Sequence, residues 1–258
     1  MSQAVVALKL RLIPDKAAQE ILDGQSRLCN WLYNHLLEKA NDLRNIYREQ
    51  LSPGIANTLY TKRGLRNLVP GIKVEKPFLK VAHSSPLKNV ALRLTDTIQT
   101  YQKSRKGKRK GKQTGWPQFR SWRRSWFSLL YDEPNKGFKI ERDELKLSLG
   151  RGDDRKQRSL NIPIAEAGLL KGKEIRNLRI VKDMNVYYAV FSVTRVLPEP
   201  KSVEKIISLD PNHKNLAYGV DNDNQALEIE SPWWLKQYDK RIDELKSKRD
   251  RCQKKSKK

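Results

Sequence analysis

Asp210 closes a short apolar run, Ile206-Ile207-Ser208-Leu209, and Pro211 follows it at once. Proline donates no ladder hydrogen bond, so a strand over this run stops there with the carboxylate at its tip. A carboxylate in that position is a hard oxygen ligand for a divalent cation, and two-metal nucleases gather several around one phosphodiester. An aspartate after a strand also serves plain turn chemistry, and residue type alone leaves both readings open. A second chemistry lies upstream. Lys103, Arg105, Lys106, Lys108, Arg109, Lys110 and Lys112 crowd into residues 103–112 without one acid, and Trp116, Phe119, Arg120, Trp122, Arg123, Arg124 and Trp126 follow closely. Cations neutralise phosphates and aromatic faces stack on bases, so 103–124 reads as a nucleic-acid contact. The bland alternative for the charge run is a solvated face, and for Trp122 and Trp126 it is core packing.

The whole-chain balance supports the second chemistry. The 258 residues hold 53 Lys+Arg against 29 Asp+Glu, a net charge of +24. Such an excess points to a polyanionic partner, most often nucleic acid. No apolar run is long enough to cross a bilayer, and the first residues read as a strand rather than a signal peptide, so no membrane partner is expected. Cys29 and Cys252 form no C-x-x-C pair, which suits a reducing, cytoplasmic setting. His35, His83 and His213 are scattered, so no zinc site is read. The length suggests about two domains.

Periodicity places these residues on elements. Residues 5–12 alternate Val6, Leu8, Leu10 and Leu12 against Ala7, Lys9 and Arg11, a half-buried strand. Asp15 then caps a helix whose stripe runs Ile21, Leu28, Leu32, Leu36, Ala40, Leu43 and Tyr47, with Gly24 loosening its first turns. Residues 51–80 are broken by Pro53, Gly54, Gly64, Pro70, Gly71 and Pro77, and yield only short helices or loops. Ser84-Ser85-Pro86 opens a clearer helix, with serine as cap and proline at the first position. After Trp126 the pattern turns to β: 127–131, 137–141, 144–149, 159–163, 175–181 and 185–196, the last two facing each other across Lys182-Asp183-Met184 as a hairpin. Residues 216–220 and 226–229 complete a meander begun by 206–209. A last helix from Pro232 carries Leu235, Tyr238, Ile242 and Leu245 as a narrow seam, with Lys240–Glu244 and Glu244–Lys248 spaced for ion pairs.

Three segments resemble one family. SLDPNHKNLAYGVDNDNQALEIESPWW and the basic helix after it resemble the first RuvC segment of TnpB proteins, transposon-encoded RNA-guided DNA endonucleases similar to type V CRISPR effectors. The family pattern is hydrophobic-Asp-x-Gly-x-x-Asn; Asp210 and Asn215 match it, Lys214 also stands in its expected place and is read with the nucleic-acid-binding cations, and Asn212 stands at the glycine. LKLRLIPDKAAQEILDGQSRLCNWLYNHLLEK is similar to the family's helix-turn-helix-like start, including Tyr33-Asn34, and Pro117-Gln118-Phe119-Arg120 is similar to its Pro-x-Phe-Lys segment. The resemblance implies an α+β fold: a wedge-type β-barrel from 1–13 and 115–197, a helical recognition insert over 14–114, a linker at 198–202, and a partial RNase H-like (RuvC) domain over 203–258. It implies guide RNA and a DNA target as partners. It makes Asp210 a catalytic ligand of Mg²⁺ in an incomplete site, because the family's other carboxylates and its zinc ribbon have no counterpart here. The chain is thus expected to be C-terminally truncated or split, inactive alone, and completed by a separate nuclease portion. The alternatives are a nuclease-free RNA-guided DNA-binding repressor or transposition accessory, and a generic basic RNA-binding protein.

Overall fold

The computed structural model describes residues 3–121, 126–151, 156–196, 205–210, 216–230 and 233–255. The chain divides into two units, Met1–Pro198 and Glu199–Lys258. The expected linker at 198–202 lies outside the described residues, as do Trp122, Arg123, Arg124, Asn212, Lys214, Asn215, Ser231 and Pro232.

In the first unit, strand β1 (Gln3–Leu12) buries Leu10 and Leu12 on alternate positions and turns Lys9 and Arg11 outward, as its pattern dictates. Helix α1 (Lys16–Gln50) starts where Asp15 Oδ1 accepts from Ala18 N at 2.7 Å, and it runs unbroken through Gly24. Leu22, Leu32, Leu36, Leu37 and Ala40 form its fully buried stripe. The broken stretch folds into α2 (Pro53–Tyr60), α3 (Gly64–Glu75) and a 3₁₀ turn at Pro77–Val81. Gly64 is required by sterics, since a methyl there would overlap the backbone of Thr58. Helix α4 (Ser84–Arg105) buries Leu87, Val90, Leu94 and Ile98. Its cap differs from the expected serine: His83 Nδ1 accepts from Ser85 N at 3.2 Å. Ser85 Oγ is engaged elsewhere, with the Asp132 carboxylate and the Asp132 N–H, tying α4 to the end of the next strand.

Strands β2 (Ser128–Tyr131), β6 (Ile175–Asp183) and β7 (Val186–Val196) join β1 in an antiparallel sheet ordered β1-β7-β6-β2. The β6–β7 turn carries Met184 and Asn185 at positive φ, the two-residue geometry that suits a tight hairpin. A second sheet, β3-β4-β5, comprises Phe138–Glu141, Glu144–Arg151 and Gln157–Pro163. The sheets meet where Leu12 bridges Ile164 and Ile13 N donates to Pro163 O at 2.9 Å. Gly150 lets β4 approach the 3₁₀ turn, because a side chain there would strike the Lys80 carbonyl. Helices and sheets share one core, with Leu32 and Leu36 of α1, Leu94 of α4, and Ile180 and Phe191 of the first sheet in a single cluster. The fold class is α+β.

The second unit holds a three-stranded antiparallel sheet, β8 (Ile207–Asp210), β9 (Ala217–Asp221) and β10 (Ala226–Ile229), ordered β10-β9-β8, and helix α5 (Trp233–Lys255). The expected 221–224 turn forms, with Asp221 Oδ1 accepting from Asp223 N and Gln225 N at 2.9 and 2.8 Å. Tyr238, Ile242 and Leu245 of the helical seam are exposed; Leu235 lies outside the residues whose side chains are described. Among the described residues α5 carries the ion pairs Asp243–Lys246 and Arg249–Asp250, in place of those expected through Glu244.

Candidate nucleic-acid interface

Helix α4 has a defined end. Gly107 sits at φ 66°, Gly107 N donates to Ser104 O at 3.3 Å, and Lys108 N donates to Lys103 O at 2.9 Å. That is a Schellman stop, with Lys103 and Arg105 in the last turn where cations suit the helix dipole. The chain then loops out and returns to the helix, where Thr114 N donates to Ser104 Oγ at 3.0 Å. The basic run is therefore a loop closed at its base. Lys103, Arg105, Lys106, Lys108, Arg109, Lys110 and Lys112 are all exposed, and among the described residues no carboxylate pairs with any of them. The Arg109 guanidinium donates to the Thr114 hydroxyl.

The returning segment is fastened to α1 by a polar row that hydrophobic periodicity passes over. Asn41 Oδ1 accepts from Trp116 Nε1 at 2.7 Å. Asn34 pairs with the Arg120 backbone in both directions, accepting from its N at 2.8 Å and donating to its O at 3.0 Å. Asn30 and Ser26 both donate to Trp126 O, at 2.8 and 3.1 Å. Ser26, Asn30 and Asn34 are four apart, hence on one helix face. That spacing is the signal the sequence offers for the row.

Arg120 is the centre of this fastening. Its guanidinium lies 3.4 Å from the Trp126 ring centroid and 3.6 Å from that of Tyr33, and it donates to Asn30 Oδ1 at 3.1 Å. Burial pulls its pKa down to about 10, which leaves it charged at neutral pH. Arg93 of α4 faces the same indole at 5.2 Å and donates to Ser128 Oγ at 3.0 Å, with its pKa also lowered to about 10 by burial. Trp116 packs likewise, edge-on to Tyr101 and 4.2 Å from the Arg44 guanidinium. Arg120, Trp116 and Trp126 thus hold the segment in place, while Phe119 stays 58% exposed. Buried Cys29 packs nearby, its thiol pushed up to about 12 by burial, so it is inert at neutral pH.

Asp210 lies in the other unit, exposed at the end of β8. The register puts Asp210, Tyr218 and Glu228 in one row across three strands. Two strand spacings, about 10 Å, separate the carboxylate-bearing backbones, with Tyr218 between. Among the described residues no three His, Cys, Asp or Glu side chains gather as a metal cluster. Magnesium wants several oxygens at about 2.1 Å in octahedral geometry, more than Asp210 and Glu228 alone supply.

No protein-family model matches the chain, and no curated protein matches it. Among solved structures it is similar to the cryo-EM structure of a CRISPR-Cas12f ternary complex, at 9% identity and a TM-score of 0.39. The match covers 89% of this chain and 52% of that one, so the chain spans about half the length of that relative. Among the described residues no helix is long and apolar enough to cross a membrane.

Proposed function

We propose that the chain binds nucleic acid through the 103–112 loop, as a TnpB-like cytoplasmic protein that takes a guide RNA and a DNA target. The observation that carries the reading is the closed loop itself, whose cations are exposed and unpaired with acids among the described residues. Loose cations on a tail would make a weaker case. Here the Schellman stop, the Ser104–Thr114 bond and the Asn41–Trp116 bond fix both ends of the loop, so less freedom is lost when phosphates are neutralised. In this reading guide RNA supplies sequence recognition by pairing, and the protein holds the duplex by its backbone.

Asp210 is one carboxylate of the nuclease set that the resemblance implies, and the proposal leaves the remainder to a separate or further nuclease portion. The register, which sets Tyr218 rather than a carboxylate opposite Asp210, favours a second reading, an RNA-guided DNA binder that represses or assists transposition without cutting.

RNA that co-purifies with the chain tests the proposal. Sequencing should show one RNA class enriched over cellular bulk, and a pool indistinguishable from bulk would leave a generic basic RNA-binding protein. The two readings separate on complementation. Adding the C-terminal portion of a close relative should create metal-dependent DNA cutting that Asp210→Ala abolishes. Cutting indifferent to that substitution would contradict the role given to Asp210.

A further inference from the structure

A cleft of about 650 Å³ opens in the first unit between α1, residues 119–121 and 126–127, and the β6–β7 turn. That is within the ordinary size of a small-ligand site and too small for a duplex. Its wall includes the Trp31 ring, stacked on His35 with centroids 4.9 Å apart, and the exposed ring of Phe119. Gln25 Oε1, His35 Nε2 and Tyr131 OH are buried side-chain atoms without a partner among the described residues, and of these residues only His35 lines the cleft. Arg27, exposed and in no ion pair among the described residues, stands on the same wall.

The cleft is close to the basic loop along α1. Trp116, at the base of the loop, bonds Asn41, and His35 is six positions earlier on the same helix. At 1.5 Å per residue the axial offset is about 9 Å, a span of a few nucleotides.

The geometry points to a pocket for one unstacked base of a single-stranded RNA, resting against Phe119 and Trp31, with Arg27 meeting its phosphate. This inference rests on the nucleic-acid reading of the loop. Aromatic stacking is how proteins hold the splayed bases of single-stranded RNA, and one stacked base has the value of a strong side-chain contact.

The probe is a short oligouridylate containing 4-thiouridine, irradiated with the full chain and mapped by mass spectrometry, with affinity followed by anisotropy. Cross-links are expected at Phe119 and Trp31 as well as in the loop. Phe119→Ala should weaken binding roughly tenfold without changing its salt dependence, and Phe119→Tyr should restore it. Phe119 is exposed, so folding is not at stake. Cross-links confined to the loop, or an unchanged affinity in Phe119→Ala, would overturn the pocket alone. Stronger cross-linking at Phe119 by the matching deoxy strand would overturn its assignment to RNA. No binding of any strand would instead contradict the nucleic-acid reading and take the pocket with it.

Discussion

Leucine and isoleucine behave oppositely in the two units. In Met1–Pro198, Leu22, Leu32, Leu36, Leu94 and Phe191 are fully buried in a cluster fed by helices and both sheets. In Glu199–Lys258, Ile207, Leu209, Leu227 and Ile229 are 37–50% exposed, although they alternate along their strands as regularly as those of β1. Alternation specifies which face of a strand is apolar and says nothing about what covers it. Burial supplies most of the stabilisation of a fold, and a three-stranded sheet without a packed face is marginal by itself. The first unit therefore carries its own stability, and the second carries little.

Hydrogen exchange should separate the units most widely. Amides of Cys29–Ala40 in α1 should open only with global unfolding, while those of Tyr238–Cys252 in α5 should exchange close to the rate of an unstructured chain, because helices gain most of their stability from packing. Equal protection of the two helices would break the comparison, unless the chain proves to dimerise through the Tyr238–Ile242–Leu245 seam.

Paired truncations should give the next largest difference. Leu36→Ala opens a cavity in the shared core and should cost about 2–5 kcal/mol in chemical denaturation. Leu209→Ala, half-exposed on β8, should cost under about 0.5 kcal/mol. Similar costs would mean that the second unit buries a core after all.

How much of the molecule is legible in its sequence depends on whether a signal is periodic or pairwise. The Leu22-to-Ala40 stripe, the alternation of β1 and the Asp15 cap can be read because each lies within a few residues of chain. The short helices from Pro53 to Glu75 cannot, since Pro70 stands inside one and Gly64 marks a close approach to Thr58 rather than a break. The cap of α4 falls on His83 rather than a serine because Ser85 has a competing partner, Asp132, 47 residues away. The asparagine row on α1 is hidden for the same reason, its meaning lying in partners 75 to 96 residues distant. Aromatic residues near basic ones read as base-stacking candidates. Trp116 and Trp126 instead pack against Arg44 and Arg120, and only the tertiary structure reveals that choice.

That pairwise layer can be tested. Arg120→Ala leaves two aromatic faces and Asn30 Oδ1 without their cation, and should destabilise the first unit by about 2–3 kcal/mol. Lysine should not rescue it, because a point charge cannot lie flat between Tyr33 and Trp126. Arg109→Ala, in the exposed loop, should change stability by less than about 0.5 kcal/mol. Equal effects would mean the fastening along α1 contributes nothing.

The smallest effect expected is a pH dependence at the α4 cap. Burial holds the His83 pKa below its ordinary value, against the opposing pull of Glu133. The unfolded chain then takes up its proton first, so the contribution is whole above about pH 6.5 and is lost as pH falls below it. Protonation also occupies the Nδ1 that accepts from Ser85. His83→Asn, which keeps a capping oxygen, should flatten this part of the melting-temperature profile; an unaltered profile would place the titration elsewhere.

The central claim is that the closed loop of the first unit holds phosphates, and the salt dependence of RNA binding tests it most directly. Replacing Lys106, Lys108, Arg109 and Lys110 together by alanine should weaken binding and reduce the slope of log K against log salt by about 3, at roughly 0.7–0.9 for each phosphate no longer neutralised. A slope the same as that of the unaltered chain would contradict the claim and make the loop a solvated feature of an otherwise basic surface.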